Sequence, residues 1–598
     1  MLDNLSGMHF ELRPVDLSQK IRSQNVLSTQ SISITFQLLE TNVKPFCKSF
    51  VLGLLISVVS LLPVGQAFCQ SAPEPAVVIS IAKFKEQMND VNYLMDAAGY
   101  GQMKFMAGAM IKGYTKGLDA DKDAGIMLFL EEDSPVPDFL GFVPVSDMEE
   151  MLDVIAGMAE VEEDDDFTTI VTDDGTELLV REHNGYAFIS NKKEMFDSLP
   201  DAPEKMLGDL PSKYNLAAKV FGQRIPQGMR DQFIEMIKES SAQTLDSLDE
   251  DDEMAELQRK NLEMSTKQME MMINESDTLT FGMTADKDSK NLVMDIEFTG
   301  IAKSKLAKKL LNSKADQPSR FTGFLMEGAT FTQNQCTKLD ADDSAEYSDQ
   351  LDQLKKAVVT GIDEDGDLTE DEIATVDSAM SDLVDSLKAT MKDGLLDSGA
   401  VVMLDDGEIN FAAGVQISDP GKIEDAVKEL VALAEDKMGG QIEVNLNSGS
   451  HKSVTLHEVV IEVPDEEEET REVFGDQITL IVGIGKKEVY VAGGSNPVAT
   501  LKKAMDGTEM AKDLMQYNLY ITPILKFAAN MDGDPIMEKM ANTLETAGND
   551  RMSMTANLIE NGVNVRMEMQ DGILGLIKVG VESAMGGGGG FAPSDDDF

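Results

Sequence analysis

The fold reading turns on two stretches, GIMLFL at 125–130 and GAVVML at 399–404. Each is a short apolar run followed by a second apolar stretch. VSD then comes at 145–147 and ISD at 417–419. In both places the Ser-Asp step opens an amphipathic helical pattern, MEEMLDVIAGMAE in one half and PGKIEDAVKELVALAED in the other. Aspartate at an N-cap accepts hydrogen bonds from first-turn amides, and Pro420 suits a first helical position.

The echo continues in order. TELLVREHNGYAFISNKKEMFDSLP at 176–200 reads as strand, Asn-Gly turn, strand and helix, and ITLIVGIGKKEVYVAGGSNPVATLKKAMDG at 478–507 has the same grammar. KYNLAAKVFG at 213–222 answers QYNLYITPIL at 516–525, and 282–298 answers 553–569. Repeats of this kind imply one structural unit used twice. The expected fold class is α+β: two tandem copies of a domain with an antiparallel sheet and covering helices, preceded by a signal peptide. The boundaries are 76–312 for the first copy and 319–584 for the second. An acidic, Met-rich helical insertion is expected at 244–275 of the first and a helix–loop–helix insertion at 345–392 of the second. Residues 585–598, rich in Gly and Asp, read as a flexible tail.

Composition narrows the function. The chain of 598 residues carries 107 acidic and 51 basic side chains, a net charge of −56. Such a surface repels phosphate backbones and anionic headgroups, which excludes general nucleic-acid binding and polybasic membrane docking. Cations and basic partners are favoured. Only 6% of residues are aromatic and none is Trp, which argues against carbohydrate binding by stacking.

The N-terminal region carries an export signal. Lys44 and Lys48 precede SFVLGLLISVVSLLPVGQAFCQ, a basic segment followed by an apolar core, a Pro63 break and small residues near Ala67, Ser71 and Ala72. The run is too short for a comfortable bilayer span, so no integral span is expected in the mature chain. Phe68 spoils a lipobox at Cys69. Residues 1–71 are therefore read as leader and signal peptide, with 1–43 ahead of the true start. The destination is periplasm, cell surface or medium. Cys336 is the one cysteine deep in the mature chain, so no internal disulfide framework is expected.

GIDEDGDLTEDE at 361–372 resembles an EF-hand calcium loop. With Gly366 at the sixth position, Asp363, Asp365, Asp367, Thr369 and Glu372 fall at the third, fifth, seventh, ninth and twelfth. The first position departs from the pattern, because Gly361 has no side-chain oxygen. The resemblance implies weakened Ca²⁺ binding. Thr369 with Glu372 also reads as a T-x-x-E capping box for the next helix.

No catalytic template appears. There is no H-E-x-x-H, G-x-S-x-G, Walker loop or dinucleotide fingerprint. His183 sits beside a turn, and His451 and His457 flank a strand-like run, about 20 Å apart if on one strand. The 38 methionines cluster without His or Cys, as at Met103, Met106 and Met110, so they read as adaptable core or contact surface rather than as copper ligands.

Taken together, GYGQMKFMAGAMIKGYTKGLDADKDAGIMLFL, FVPVSDMEEMLDVI and YNLAAKVFGQRIP, behind a signal peptide, resemble large acidic secreted proteins of unknown function from planctomycete bacteria. The resemblance implies export and supplies no chemistry. The function expected is an exported non-enzymatic binding or structural protein acting on an unidentified protein partner through acidic and Met-rich surfaces. The alternatives are a calcium-binding module and an uncharacterised secreted hydrolase.

Overall fold

Alternating apolar and polar residues across many short runs produce strands with two unlike faces, and here they assemble into one sheet. The protein is seen as a computed structural model. It describes residues 74–586 apart from 133, 135–136, 165, 173–174, 247–252, 366–367, 406, 465–467 and 509–512. The leader at 1–71 and residues 587–598 lie outside the described residues.

The strands of the first half are β1 (Val77–Ile81), β2 (Ala124–Phe129), β3 (Asp138–Pro144), β4 (Glu160–Glu163), β5 (Thr168–Val171), β6 (Glu177–His183), β7 (Tyr186–Ser190), β8 (Leu216–Phe221), β9 (Ser276–Asp286) and β10 (Asn291–Gly300). Those of the second half are β11 (Phe331–Lys338), β12 (Leu395–Asp405), β13 (Glu408–Gln416), β14 (Ile442–His451), β15 (Val454–Glu462), β16 (Gln477–Ile484), β17 (Glu488–Gly494), β18 (Met515–Tyr520), β19 (Arg551–Ile559) and β20 (Gly562–Gln570).

Helices fill the connections. They are α1 (Phe84–Ala97), α2 (Lys104–Tyr114), α3 (Met148–Ala156), α4 (Leu210–Lys213), α5 (Gln227–Asp246), α6 (Glu253–Glu275) and α7 (Lys305–Asn312) in the first half. The second half has α8 (Ala341–Asp365), α9 (Glu370–Asp393), α10 (Pro420–Met438), α11 (Glu468–Phe474), α12 (Pro497–Asp506), α13 (Ile521–Asp532), α14 (Pro535–Ala547) and α15 (Gly575–Gly586).

Every strand pairing is antiparallel, and the spatial order is β4-β5-β6-β7-β3-β2-β1-β8-β9-β10-β20-β19-β18-β11-β12-β13-β17-β16-β15-β14. From either edge the strands come in the same order, with ten added to each number in the second half. The two sets of ten meet at the β10–β20 pair. The protein is thus α+β with a large antiparallel sheet. One edge strand, β4, reads Glu-Val-Glu-Glu, and charge on an edge discourages pairing with other chains.

Local chemistry accounts for the turns. Asn184 and Gly185 both have positive φ, 51° and 75°, as a two-residue hairpin of this twist requires. The helix expected after β7 is only a 3₁₀ turn, Lys193–Phe196. Strand β18 stops at Tyr520, because Pro523 lies in the first turn of α13 and would remove a ladder donor. The helix-rich stretches at 244–275 and 345–392 fall in connections that carry a helix pair in both halves. The β8–β9 connection holds α5 and α6 and the β18–β19 connection holds α13 and α14. Likewise α1 and α2 link β1 to β2, and α8 and α9 link β11 to β12. What differs between the halves is length.

Cores form on the outer strands. Met127, Phe142, Tyr186 and Phe188 pack with Leu207 and Leu210 in the first half. Phe321, Phe324, Tyr490 and Leu501 do so in the second. Glycine makes room there: a Cβ on Gly399 would lie 2.7 Å from Phe321 Cβ, and one on Gly414 2.6 Å from its ring. A further cluster joins Ile423 on α10 to Val489 and Ile484, with Leu383 and Leu387 of α9 against it. Cys336 is buried and unpaired, and burial pushes its thiol up to about 12.

Candidate functional site

The acidic loop comes first. Asp363 and Asp365 fall in the last turn of α8, and Asp367 lies outside the described residues. Thr369 is the N-cap of α9, and its hydroxyl accepts from the Glu372 amide at 3.4 Å. Glu372 closes the capping box by accepting from the Thr369 amide at 2.6 Å, and its carboxylate also meets Lys437 Nζ at 2.9 Å. The Thr369 amide, then Lys437, hold the Glu372 carboxyl down to about 2. The residue expected as a bidentate calcium ligand is thus engaged in tying α9 to α10. Among the described residues, no three His, Cys, Asp or Glu side chains converge as a metal-ligand group.

The histidines are dispersed. His451 and His457 lie on different strands of a hairpin turned at Lys452 and Ser453, both with positive φ, rather than on one run. His451 Nε2 lies 2.8 Å from Asp506. His457 is buried and accepts from the Asn447 amide through Nδ1 at 3.3 Å. Its Nε2 is 3.7 Å from Glu424 Oε1 and makes no hydrogen bond. Burial pushes its pKa down.

The sheet centre carries the most unusual chemistry. On one face of β10 and β20, Arg566 donates Nε to Asp295 Oδ1 at 2.9 Å and Nη2 to Oδ2 at 2.7 Å. Asp295 is buried; burial pushes its carboxyl up, but Arg566 together with Asn564 and Tyr214 outweighs it and the net shift is downward. Tyr214 lies over Gly282 beside this pair and donates to Glu297 at 3.3 Å. A cleft of about 480 Å³ is lined by Lys213, Tyr214, Asp286, Lys287, Asp295 and Arg566. Its Asp295 is clamped at both oxygens, and Asp286 accepts from the amides of its own turn at Asp288 and Ser289. A bidentate arginine stabilises the ionised carboxylate and occupies both oxygens, which suits a structural pair better than a general base.

The opposite face is apolar. One row across the ladder runs Met283, Met294, Met567 and Met554 on β9, β10, β20 and β19. The next runs Phe281, Ile296, Val565 and Ala556 on the same strands. Cross-strand partners share a face, so these side chains form one surface. It extends through Leu216 and Ile81 on one flank and Tyr517 on the other, and ends at Gln333, which donates to Ser398. Phe281 is 44% exposed, Met283 42% and Met294 40%. None of these residues belongs to the three cores. The sequence shows the alternation Leu292, Met294, Ile296, Phe298. It does not show that, among the described residues, Phe281, Met283 and Met294 stay exposed while buried clusters form on the outer strands.

Among the described residues no helix is long and apolar enough to cross a membrane. No family model, no curated protein and no solved structure matches the chain.

Proposed function

We propose that this is an exported, non-enzymatic binding protein built from two tandem copies of one ten-stranded unit, and that its binding surface is the Met-rich apolar face at the seam between them. The observation that carries the reading is that face. Soluble monomers rarely expose contiguous apolar patches beyond a few hundred Å² without a partner. Methionine, flexible and polarizable, suits a surface that adapts to what it holds. Export is supported by the basic and apolar stretch around 44–72, and sequencing the mature N-terminus checks it.

The duplication is supported by matching backbone bonds. Val145 N donates to Gly185 O at 3.0 Å, and Ile417 N to Lys487 O at 3.0 Å. Ala76 N donates to Leu128 O at 2.8 Å, and Thr330 N to Val402 O at 2.9 Å. The ladder also revises the alignment suggested by KYNL and QYNL. Asn215 N donates to Met283 O as Leu514 N does to Ala556 O, so Leu216 corresponds to Met515 rather than to Leu519. The side chains drifted while the register stayed, because register is what keeps each apolar set on its face.

Binding is tested with an environment-sensitive apolar dye. The wild-type chain is expected to enhance its fluorescence, and Phe281→Asp with Met294→Asp to abolish most of that while the thermal transition is retained. Equal fluorescence from wild type and the folded double variant would remove this reading.

A further inference from the structure

We infer that the ligand of this face is the acyl chain of a membrane lipid, drawn from a bilayer surface on which helix α2 rests; the inference builds on the binding surface proposed above. Three features of the face select hydrocarbon. First, the Met row and its Phe281–Ala556 neighbour offer no charge, and the strands' backbone groups are consumed by ladder bonds on both sides. A protein partner normally gains about one hydrogen bond per 100–200 Å² of interface, which these two rows have no side chains to supply; the polar groups of the face lie at its flank, Tyr517 and a Gln333 already donating to Ser398. A hydrocarbon needs none.

Second, the dimensions fit. The eight strands from β1 to β11 span about 34 Å at ~4.8 Å spacing, and the four same-face positions Leu292 to Phe298 cover about 20 Å. One leaflet of a bilayer core is about 15 Å thick, so a chain of that length lies along a strand without overhang. Third, a second copy is a poor occupant. Each chain carries a net −56, and closing two such bodies face to face brings their acidic surfaces together.

Helix α2 supplies the contact with the bilayer. It follows β1 and α1 in the chain, and β1 contributes Ile79 and Ile81 to the face. None of its residues is buried; Phe105 is 87% exposed and Met106 64%. A Cβ on Gly108 or Gly113 would meet nothing within 4 Å, so the helix has open space at both positions. No acidic residue occurs from 97 to 118, while Lys104, Lys112 and Lys116 do, with Lys104 paired to Asp96. The global charge that argues against polybasic docking is locally reversed here. An apolar helix flanked by lysines lies in the headgroup plane and meets phosphates with its charges.

The test uses the full chain and vesicles of phosphatidylethanolamine and phosphatidylglycerol carrying a trace of pyrene-labelled phospholipid. After incubation the protein is separated from vesicles by size exclusion and its bound lipid counted. The wild type is expected to elute with pyrene lipid, and Met294→Asp with Val565→Asp to retain at least about tenfold less, since each carboxylate must be desolvated by the chain. Phe105→Ala with Met106→Ala is expected to load more slowly from vesicles yet equally from detergent-dispersed lipid. A wild-type chain that lights up the apolar dye but elutes free of lipid overturns the lipid assignment and leaves the binding surface standing. So does a wild-type dimer that becomes monomeric in the face variant, which assigns the face to a second copy. Absence of dye enhancement removes both.

Discussion

Arg566 grips both carboxylate oxygens of Asp295 across the β10–β20 seam, at 2.9 and 2.7 Å. In the duplication proposed above, the ladder makes each the counterpart of the other. Met294 opposes Met283 as Val565 opposes Ala556, so 294 corresponds to 565 and 295 to 566. The pair therefore sits on the pseudo-two-fold axis. In a symmetric dimer that position would face itself, giving Asp on Asp or Arg on Arg. Two copies that differ in sequence, as two copies in one chain can, are able to place opposite charges there.

The seam pair makes a directional prediction. Arg566→Met leaves Asp295 buried without its partner and is expected to cost about 1–3 kcal/mol, the usual loss discounted because Arg566 is half-exposed. Asp295→Arg alone sets two guanidiniums together and should cost more, whereas Asp295→Arg with Arg566→Asp should recover much of the loss. Urea denaturation of the four chains reads this directly; a swap no better than the single change would count against the on-axis geometry. Because the folded Asp295 pKa is lowered, its contribution is full above the unfolded carboxylate value near ~3.9 and disappears as pH falls below it.

A second prediction concerns the loop at 361–372. Glu372 serves as cap and as partner of Lys437, so calcium ligation there requires it to leave both. Lys437→Met is expected to increase any heat of calcium binding seen by calorimetry, and equal, vanishing heats in both chains would dispose of the calcium reading. Thr369→Ala should cost about 1 kcal/mol through the lost cap. The Glu372 contribution is present above its ordinary pKa of 4.5 and is lost as pH falls towards about 2.

His457 predicts a loss of stability on mild acidification. Its pKa is lowered by burial, so the unfolded chain takes up a proton more readily than the folded one. Stability therefore declines as pH falls below ~6.5, with Glu424 and Lys428 the charged groups facing the ring. His457→Gln is expected to flatten thermal stability between about pH 7.5 and pH 5.5; an unchanged slope would refute the assignment.

Glycines give a contrasting pair. Gly399→Val drives its Cβ into Phe321 and is expected to cost about 2–3 kcal/mol by overpacking. Gly361→Ala lies within helix α8, where a Cβ meets nothing within 4 Å, and should stabilise by about 0.5–1 kcal/mol. Paired thermal melts test both.

Local sequence was enough for the kinds of element. The Asn184-Gly185 turn, the T-x-x-E cap at Thr369 and Glu372, and alternation as in Leu292 to Phe298 are short-range signals, because each is set by the conformational needs of a few neighbouring residues. They led to an α+β chain of antiparallel hairpins. The on-axis position of Asp295 and Arg566 was beyond reach, since 271 residues separate them in the chain and no local preference specifies a pairing at that distance. The same holds for the apolar face. Alternation says that one side of β10 avoids water; only tertiary packing decides whether a helix, another sheet or nothing from the same chain lies upon it. Among the described residues the outer strands carry the buried clusters while Phe281, Met283 and Met294 stay exposed, because where a connecting helix comes to rest is set by the geometry of the whole sheet rather than by the residues beneath it.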